Sequence, residues 1–321
     1  MRIDPHVHCR DGSQNYKETI AHVFKLCDKQ GINIIFDMPN TSPPILTPQD
    51  VEKRLALVPR KDKKRYRIFI GATSDKKQLT RASDMAQDSK SVVGLKLYAG
   101  RSVGNLAITV EEKQRRIYEI LSAANYKGVL AVHCEKDSLI KNIFDPDKPV
   151  THCLSRPKEA EVESISDQIE FAQVAGFKGT LHICHISTAS SIDIISRTPE
   201  NLKITCGVTP HHLLWSSARY HEPNGLLYRE NPPLRDTSDT IALRKALKSG
   251  IINWIETDHS PHPISEKLYP PYLPGYPSLC LYRLLVEEIL PQWGFDDKLI
   301  ERVTYANIVN TFDERKLLND Y

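Results

Sequence analysis

No uninterrupted hydrophobic run in this chain approaches the ~18–20 residues of a membrane-spanning helix, and mean hydropathy is −0.39. A dominant charge sign is missing as well. Against 43 Lys and Arg stand 40 Asp and Glu, a net +3 over 321 residues. The basic cluster Arg60-Lys61-Asp62-Lys63-Lys64-Arg65 is short and reads as a solvated loop, so no nucleic-acid surface is expected. Cysteine is odd in number, 7, and no two stand in C-x-x-C spacing, which argues against a disulfide framework and for a reducing interior. The N-terminal Met-Arg-Ile-Asp-Pro-His lacks the apolar stretch of a secretory signal. The expected compartment is therefore the cytoplasm, and no appended N-terminal domain is expected before the first strand. Neither G-x-G-x-x-G nor G-x-x-x-x-G-K-[ST] occurs, which weighs against an open nucleotide-binding sheet.

What is present is an ordinary globular composition, 40% hydrophobic and 26% charged. It alternates between short β-rich runs and longer amphipathic stretches. Strands are expected near Ile3–His8, Ile32–Met38, Arg67–Ala72, Val92–Tyr98, Val129–His133, Thr180–His185, Lys203–Val208 and Ile251–Thr257. Helices are expected near 16–30, 48–57, 76–88, 111–126, 157–176, 188–197, 238–249 and 279–290. Eight strand–helix pairs predict a single α/β domain over 1–321, a TIM-type (β/α)8 barrel without an appended β-sandwich domain. The segment 296–321 is expected to close the barrel base. Two irregular stretches, Tyr98–Thr109 and the proline-rich His262–Ser278, read as lids or binding loops.

Polar side chains gather where the expected strands end. His6 and His8 end the first, Asp37 and Asn40 follow the second, and Lys96 lies in the fourth. His133 ends the fifth, His182 and His185 lie in the sixth, and Asp258 ends the eighth. In such a barrel the C-terminal strand ends form the active-site mouth. His6 and His8, two residues apart on a strand, face the same side. Neutral imidazoles with a carboxylate suit a borderline divalent ion such as zinc. Asp4 is expected to cap or orient rather than to bind metal.

Lys96 is the odd residue of the apolar run Gly94-Leu95-Lys96-Leu97-Tyr98. One reading is a lysine snorkelling to the strand end. The other is a neutral amine, favoured by burial and nearby cations, that adds carbon dioxide to give a carbamate able to bridge two metals. In Leu181-His182-Ile183-Cys184-His185-Ile186-Ser187, His185 shares a strand face with Ile183, and His182 shares one with Cys184. Being nearer the strand end, His185 is the expected ligand, and His182 an orienting or packing residue. Asp258, in Thr257-Asp258-His259-Ser260-Pro261-His262, can bind a metal through one oxygen and handle a proton with the other.

In their order, His6-Val7-His8-Cys9-Arg10, Asp37-Met38-Pro39-Asn40-Thr41, Gly94-Leu95-Lys96-Leu97-Tyr98, Val132-His133-Cys134-Glu135, His182-Ile183-Cys184-His185, Val208-Thr209-Pro210-His211-His212-Leu213 and Thr257-Asp258-His259-Ser260-Pro261-His262 resemble the dihydroorotases of the amidohydrolase superfamily. The resemblance implies two divalent metal ions, zinc by expectation. His6, His8 and Asp258 would bind one, His133 and His185 the other, and carboxylated Lys96 would bridge them. It implies that Arg10 and Asn40 hold a substrate carboxylate and that His262 contacts substrate. Asn231 and the Pro274-Gly275 backbone are implied as further contacts. The loop Arg101-Ser102-Val103-Gly104 resembles an active-site lid, with Ser102 donating a hydrogen bond.

Three departures go with the resemblance. Cys9 replaces an apolar residue, which is expected to be a packing change. The flanking β-sandwich strands of many relatives are not expected here. Some animal relatives bind a third zinc at the position of Cys184 with the help of a Glu; the matching neighbour here is Gly207, so no third ion is expected and Cys184 reads as a buried hydrophobe.

The implied activity is the reversible interconversion of dihydroorotate and N-carbamoyl-L-aspartate in pyrimidine synthesis. Another cyclic amidohydrolase, hydantoinase-like or allantoinase-like, is the alternative, and a catalytically dead scaffold for a pyrimidine-pathway partner is a third reading. Arg10 discriminates among them, because hydantoinase-like enzymes act on rings without that carboxylate. A small-molecule substrate is expected, and a homodimer is the base-rate expectation.

Overall fold

A computed structural model describes residues 1–102 and 104–317. Val103 of the expected lid and residues 318–321 of the expected terminal segment lie outside the described residues. Eight parallel strands, β1 (Ile3–Val7), β2 (Ile34–Asp37), β3 (Tyr66–Gly71), β4 (Val92–Tyr98), β5 (Val129–His133), β6 (Thr180–Ile183), β7 (Lys203–Val208) and β8 (Trp254–Ile255), pair in chain order. Helices follow in the expected places, for example Ile20–Gln30, Lys76–Asp88 and Thr237–Ser249. Their starts follow from local chemistry. Thr47 and Asp50 form a reciprocal capping box, with Pro48 in the first turn, and Asp75 accepts from the Gln78 amide. Among the described residues, no helix is long and apolar enough to cross a membrane.

The nearly closed α/β barrel agrees with the expected architecture, but β8 is two residues long where Ile251–Thr257 was expected. After Ile255 the ladder gives way to side chains. The Thr257 amide donates to Asp4 Oδ1 at 3.0 Å and its hydroxyl to Asp4 Oδ2 at 2.5 Å. Just beyond, the His8 amide donates to the His259 carbonyl at 2.8 Å. Asp4 therefore has the orienting place expected of it.

Strand alternation sorts the side chains into two layers. Leu95, Leu97, Leu130, Val132, Leu181 and Ile183 face outward into the apolar layer beneath the helices. Phe36, Phe69, Val93, Val129 and Trp254 fill the interior at the strand starts. The helix Asn307–Phe312 inserts Phe312 there, with ring centroids 5.0 Å from Phe36, 6.0 Å from Phe69 and 5.7 Å from Trp254. The base is thus filled by an aromatic cluster, and the cavity-lining histidines lie toward the opposite end. Phe312→Ala is expected to cost about 3–5 kcal/mol of stability, as large aromatic truncations in cores do. Urea unfolding of the purified variant checks it.

Candidate metal centre and active site

Two short-range features bring the polar groups together at the mouth. β1 presents His6 and His8 inward while Val7 and Cys9 pack outward, as alternation requires. His185 does not obey alternation. Ile183 faces outward, so an extended His185 would follow it away from the mouth. β6 ends at Ile183, and His185 adopts a left-handed conformation (φ +36°) that turns its imidazole inward. Asp258 reaches the cavity by the same device (φ +47°). Such conformations are uncommon for residues with a Cβ and mark backbone held by its surroundings.

One cavity is bordered by His6, His8, Arg10, Asn40, Ser102 and His133, and equally by His185, Asn231, Asp258 and Pro274. Ten of the residues singled out from sequence therefore meet at one place. His262 and Gly275 stand just behind this lining: His262 Nε2 accepts from Arg10 Nη2 at 3.1 Å, and a Cβ on Gly275 would fall 2.7 Å from the His262 ring. Lys96 lies inside the barrel, buried, with Nζ 2.9 Å from Cys184 Sγ.

The donor set fits a pair of divalent ions. Asp258 Oδ1 lies 3.4 Å from His6 Nε2 and 3.0 Å from His8 Nε2, and the three residues form a compact ligand group. His133 Nδ1 and His185 Nε2 approach to 3.2 Å. Two nitrogens bound to one tetrahedral zinc at ~2.0–2.1 Å would stand about 3.3 Å apart. Burial and the neighbouring His133, His6 and Lys96 depress His185 well below the usual imidazole range, which keeps it neutral and its lone pair available. His8 is likewise pushed down to about 4, chiefly by burial. Lys96 and Cys184 sit against these groups, since Cys184 joins His6 and His185 in a second compact ligand group.

Neighbouring side chains orient the donors. Asn40 Oδ1 lies 2.6 Å from His8 Nδ1, which places the proton on that nitrogen and leaves Nε2 for the centre. Asn40 thus orients a metal-ligand candidate as well as bordering the cavity. Glu135 Oε2 lies 3.1 Å from His133 Nε2 and also receives Arg156, whose other guanidinium nitrogen bonds the Arg101 carbonyl at the root of the expected lid. Asp37 fixes the approach to Arg10: its Oδ2 accepts from Arg54 Nη2 at 2.7 Å, and Arg54 Nη1 grips the Arg10 carbonyl at 2.5 Å. His262 is held neutral, down to about 3, by burial and by Arg10.

Cys184 is buried in the inner apolar cluster, as expected. Burial raises its thiol, but Lys96, His182 and His6 outweigh that and bring it down to about 5. Strand alternation also sets its sulfur 2.9 Å from Lys96 Nζ and in one compact group with His6 and His185. Cys9 also packs as expected, its thiol pushed up by burial. His182 serves as an orienting and packing residue, stacked on Trp254 at 4.5 Å and 3.0 Å from Glu256 Oε2.

Sequence reasoning missed three cavity residues. Tyr98 presents a buried hydroxyl with no hydrogen-bond partner among the described residues, although its sequence neighbour Lys96 was singled out. Asn231 Oδ1 likewise has no partner among the described residues, which suits a contact supplied by substrate. Glu230 borders the cavity, its carboxyl raised to about 8 by burial and by the Asp258 charge, and it receives Ser260 Oγ at 3.3 Å. Ser260 is the third. Only the adjacency of Glu230 to Asn231 signalled it in the sequence.

Burial raises the Glu135 carboxyl, but Arg156 and His133 outweigh it and hold the group at about 2. A folded-state value below the unfolded 4.5 adds stability above pH ~4.5, and that stability is lost as pH falls toward 2. Arg156→Met in metal-free protein is therefore expected to cost about 3 kcal/mol at neutral pH. The penalty should shrink between pH ~4.5 and 2 when unfolding is followed across pH.

No family model matches the chain. It is 27% identical to the dihydroorotase of Methanosphaera stadtmanae, over 99% of this chain and 72% of that protein. It is 31% identical to the dihydroorotase of Staphylococcus aureus over 84% of this chain, and to that of Lactiplantibacillus plantarum over 83%. Of those two relatives the chain spans 62% and 60%, less than two thirds of their length. In structure it resembles an L-hydantoinase (dihydropyrimidinase) from Arthrobacter aurescens, with TM-score 0.81 at 19% identity, covering 97% of this chain and 70% of that one. A dihydropyrimidinase from Brevibacillus agri gives 0.80 at 18% identity, over 99% of this chain and 71% of that one. At such identities the structural likeness shows the fold.

Proposed function

We propose that this chain, which resembles dihydroorotases over most of its length, is a cyclic amidohydrolase that interconverts dihydroorotate and N-carbamoyl-L-aspartate in the cytoplasm. The observation that carries this reading is one buried mouth in which four imidazoles and Asp258 stand beside the Arg10 guanidinium. His6, His8 and Asp258 would hold one zinc-like ion and His133 and His185 a second, with carboxylated Lys96 between them. When bound, such a pair lowers the pKa of water and polarises a carbonyl.

The protein's own groups do the rest. Arg10 offers a planar fork to the substrate carboxylate, and its backbone is fixed from behind by Arg54. Asn40, Ser102 and Asn231 border the same cavity and complete the polar cradle, with the Pro274-Gly275 backbone and His262 at its edge. Asp258 Oδ1 faces His6 and His8. Its other oxygen, Oδ2, takes the proton from the attacking water and passes it to the departing ring nitrogen. In ring closure the same oxygen deprotonates the ureido nitrogen. Burial of these groups excludes bulk water and strengthens each electrostatic contact.

Asp258→Ala is expected to leave the fold intact and lower kcat by at least ~10²–10⁴-fold, the range of a lost acid–base group. Full turnover with normal metal content in that variant would overturn the assignment. Arg10→Ala should raise KM for dihydroorotate roughly 10–100-fold, the worth of a charge-assisted hydrogen bond, and spare hydantoin. A substrate panel on wild-type protein that favours hydantoin or allantoin would move the assignment to those enzymes. Removing metal with a chelator should abolish turnover, and zinc with bicarbonate should restore it. An enzyme fully active without metal contradicts the proposed centre.

A further inference from the structure

Glu256 is wholly buried immediately after β8, and the proposed reaction gives it no proton to carry. Its oxygens divide their partners. Oε1 accepts the backbone N–H of His185 at 2.7 Å and lies 3.5 Å from His6 Nδ1, a buried nitrogen with no closer hydrogen-bond partner among the described residues. Oε2 accepts from His182 Nε2 at 3.0 Å and from the Trp254 indole N–H at 3.0 Å. The room for this carboxylate comes from the neighbouring strand: a Cβ on Gly207 would fall 2.3 Å from Glu256 Cδ and 2.5 and 2.7 Å from its oxygens.

Burying a carboxylate costs several kcal/mol even when it is well bonded, and an apolar side chain would pack the same space. What a carboxylate adds is an acceptor aimed at two separate metal-ligand candidates. His6 Nε2 faces Asp258, so Nδ1 must carry the proton if Nε2 is to bind an ion, and an anion facing Nδ1 selects that tautomer. His185 reaches the cavity only through its left-handed turn, and the bond from its N–H to Glu256 holds that turn. His6 belongs to one proposed ion and His185 to the other.

We propose that Glu256 is a positioning residue that ties the two halves of the metal centre together, with Gly207 as the vacancy that admits it. The inference rests on the metal-centre reading above. The test is titration of metal-stripped protein with zinc against a chromophoric chelator, with unfolding of the metal-free form measured alongside. The wild type should take up two ions. Glu256→Gln keeps the shape and is expected to weaken zinc binding about 10–100-fold, as loss of a partner behind a metal-ligating histidine does. Trp254→Phe perturbs the same buried spot but leaves the carboxylate and its contacts to His6 and His185, and should bind zinc like the wild type.

Undiminished affinity in Glu256→Gln overturns the proposal. So does equal weakening in Trp254→Phe, because packing alone would then explain the effect. Should Glu256→Gln fail to fold, Gly207→Ala takes its place, since the added methyl displaces the carboxylate without removing it. The same weakening is expected there, and wild-type affinity would overturn the proposal. A wild type that takes up no ion removes the metal-centre reading and this inference with it. Two ions in the wild type with unchanged affinity in Glu256→Gln remove the inference alone.

Discussion

The mouth of this barrel is registered by the paired bonds from Thr257 to Asp4, because no regular ladder joins β8 to β1. Those bonds set the segment after β8 beside the strand that carries His6 and His8. The position of Asp258 relative to both imidazoles follows from them. Burial drives the Asp4 carboxyl up to about 7 despite its bonds to Thr257 and His6. A group that resists ionisation still accepts these hydrogen bonds, and closure is made without a full buried charge at the seam.

The mouth concentrates imidazoles that would repel one another if protonated. Burial keeps His8, His185 and His262 neutral, while carboxylates at Asp258, Glu135 and Glu256 lie against imidazoles or guanidinium groups. The fold therefore gathers much of its buried charge around the cavity, while aromatic rings fill the opposite end. Fixed acceptors behind His8, His133 and His6 orient lone pairs before any ligand arrives, which lowers the reorganisation needed on binding.

Much of this was legible in the sequence. The strands came from β-rich runs whose spacing suited one barrel, and β4, β5 and β7 have the expected bounds. The histidines, Lys96 and Asp258 stood out because ionisable groups are rare inside apolar strands. The turns were not legible. Strand alternation alone would have sent His185 outward, and only the backbone conformation reverses it. The burial of Cys184 was legible, but its polar neighbours were not, because a residue type says little about what faces it across a barrel. Glu256 and Gly207 are 49 residues apart in sequence, and neither signals the other until β7 and β8 pair.

The aromatic plug around Phe312 also fixes traffic. With the base filled by packed rings, the proposed substrate and product would both use the mouth that Ser102 borders, where Arg156 braces the Arg101 carbonyl. A vessel with one opening cannot load while it empties. On the proposed reaction each turnover would then alternate entry and exit, and a tightly held product would slow the next arrival by occupying its path.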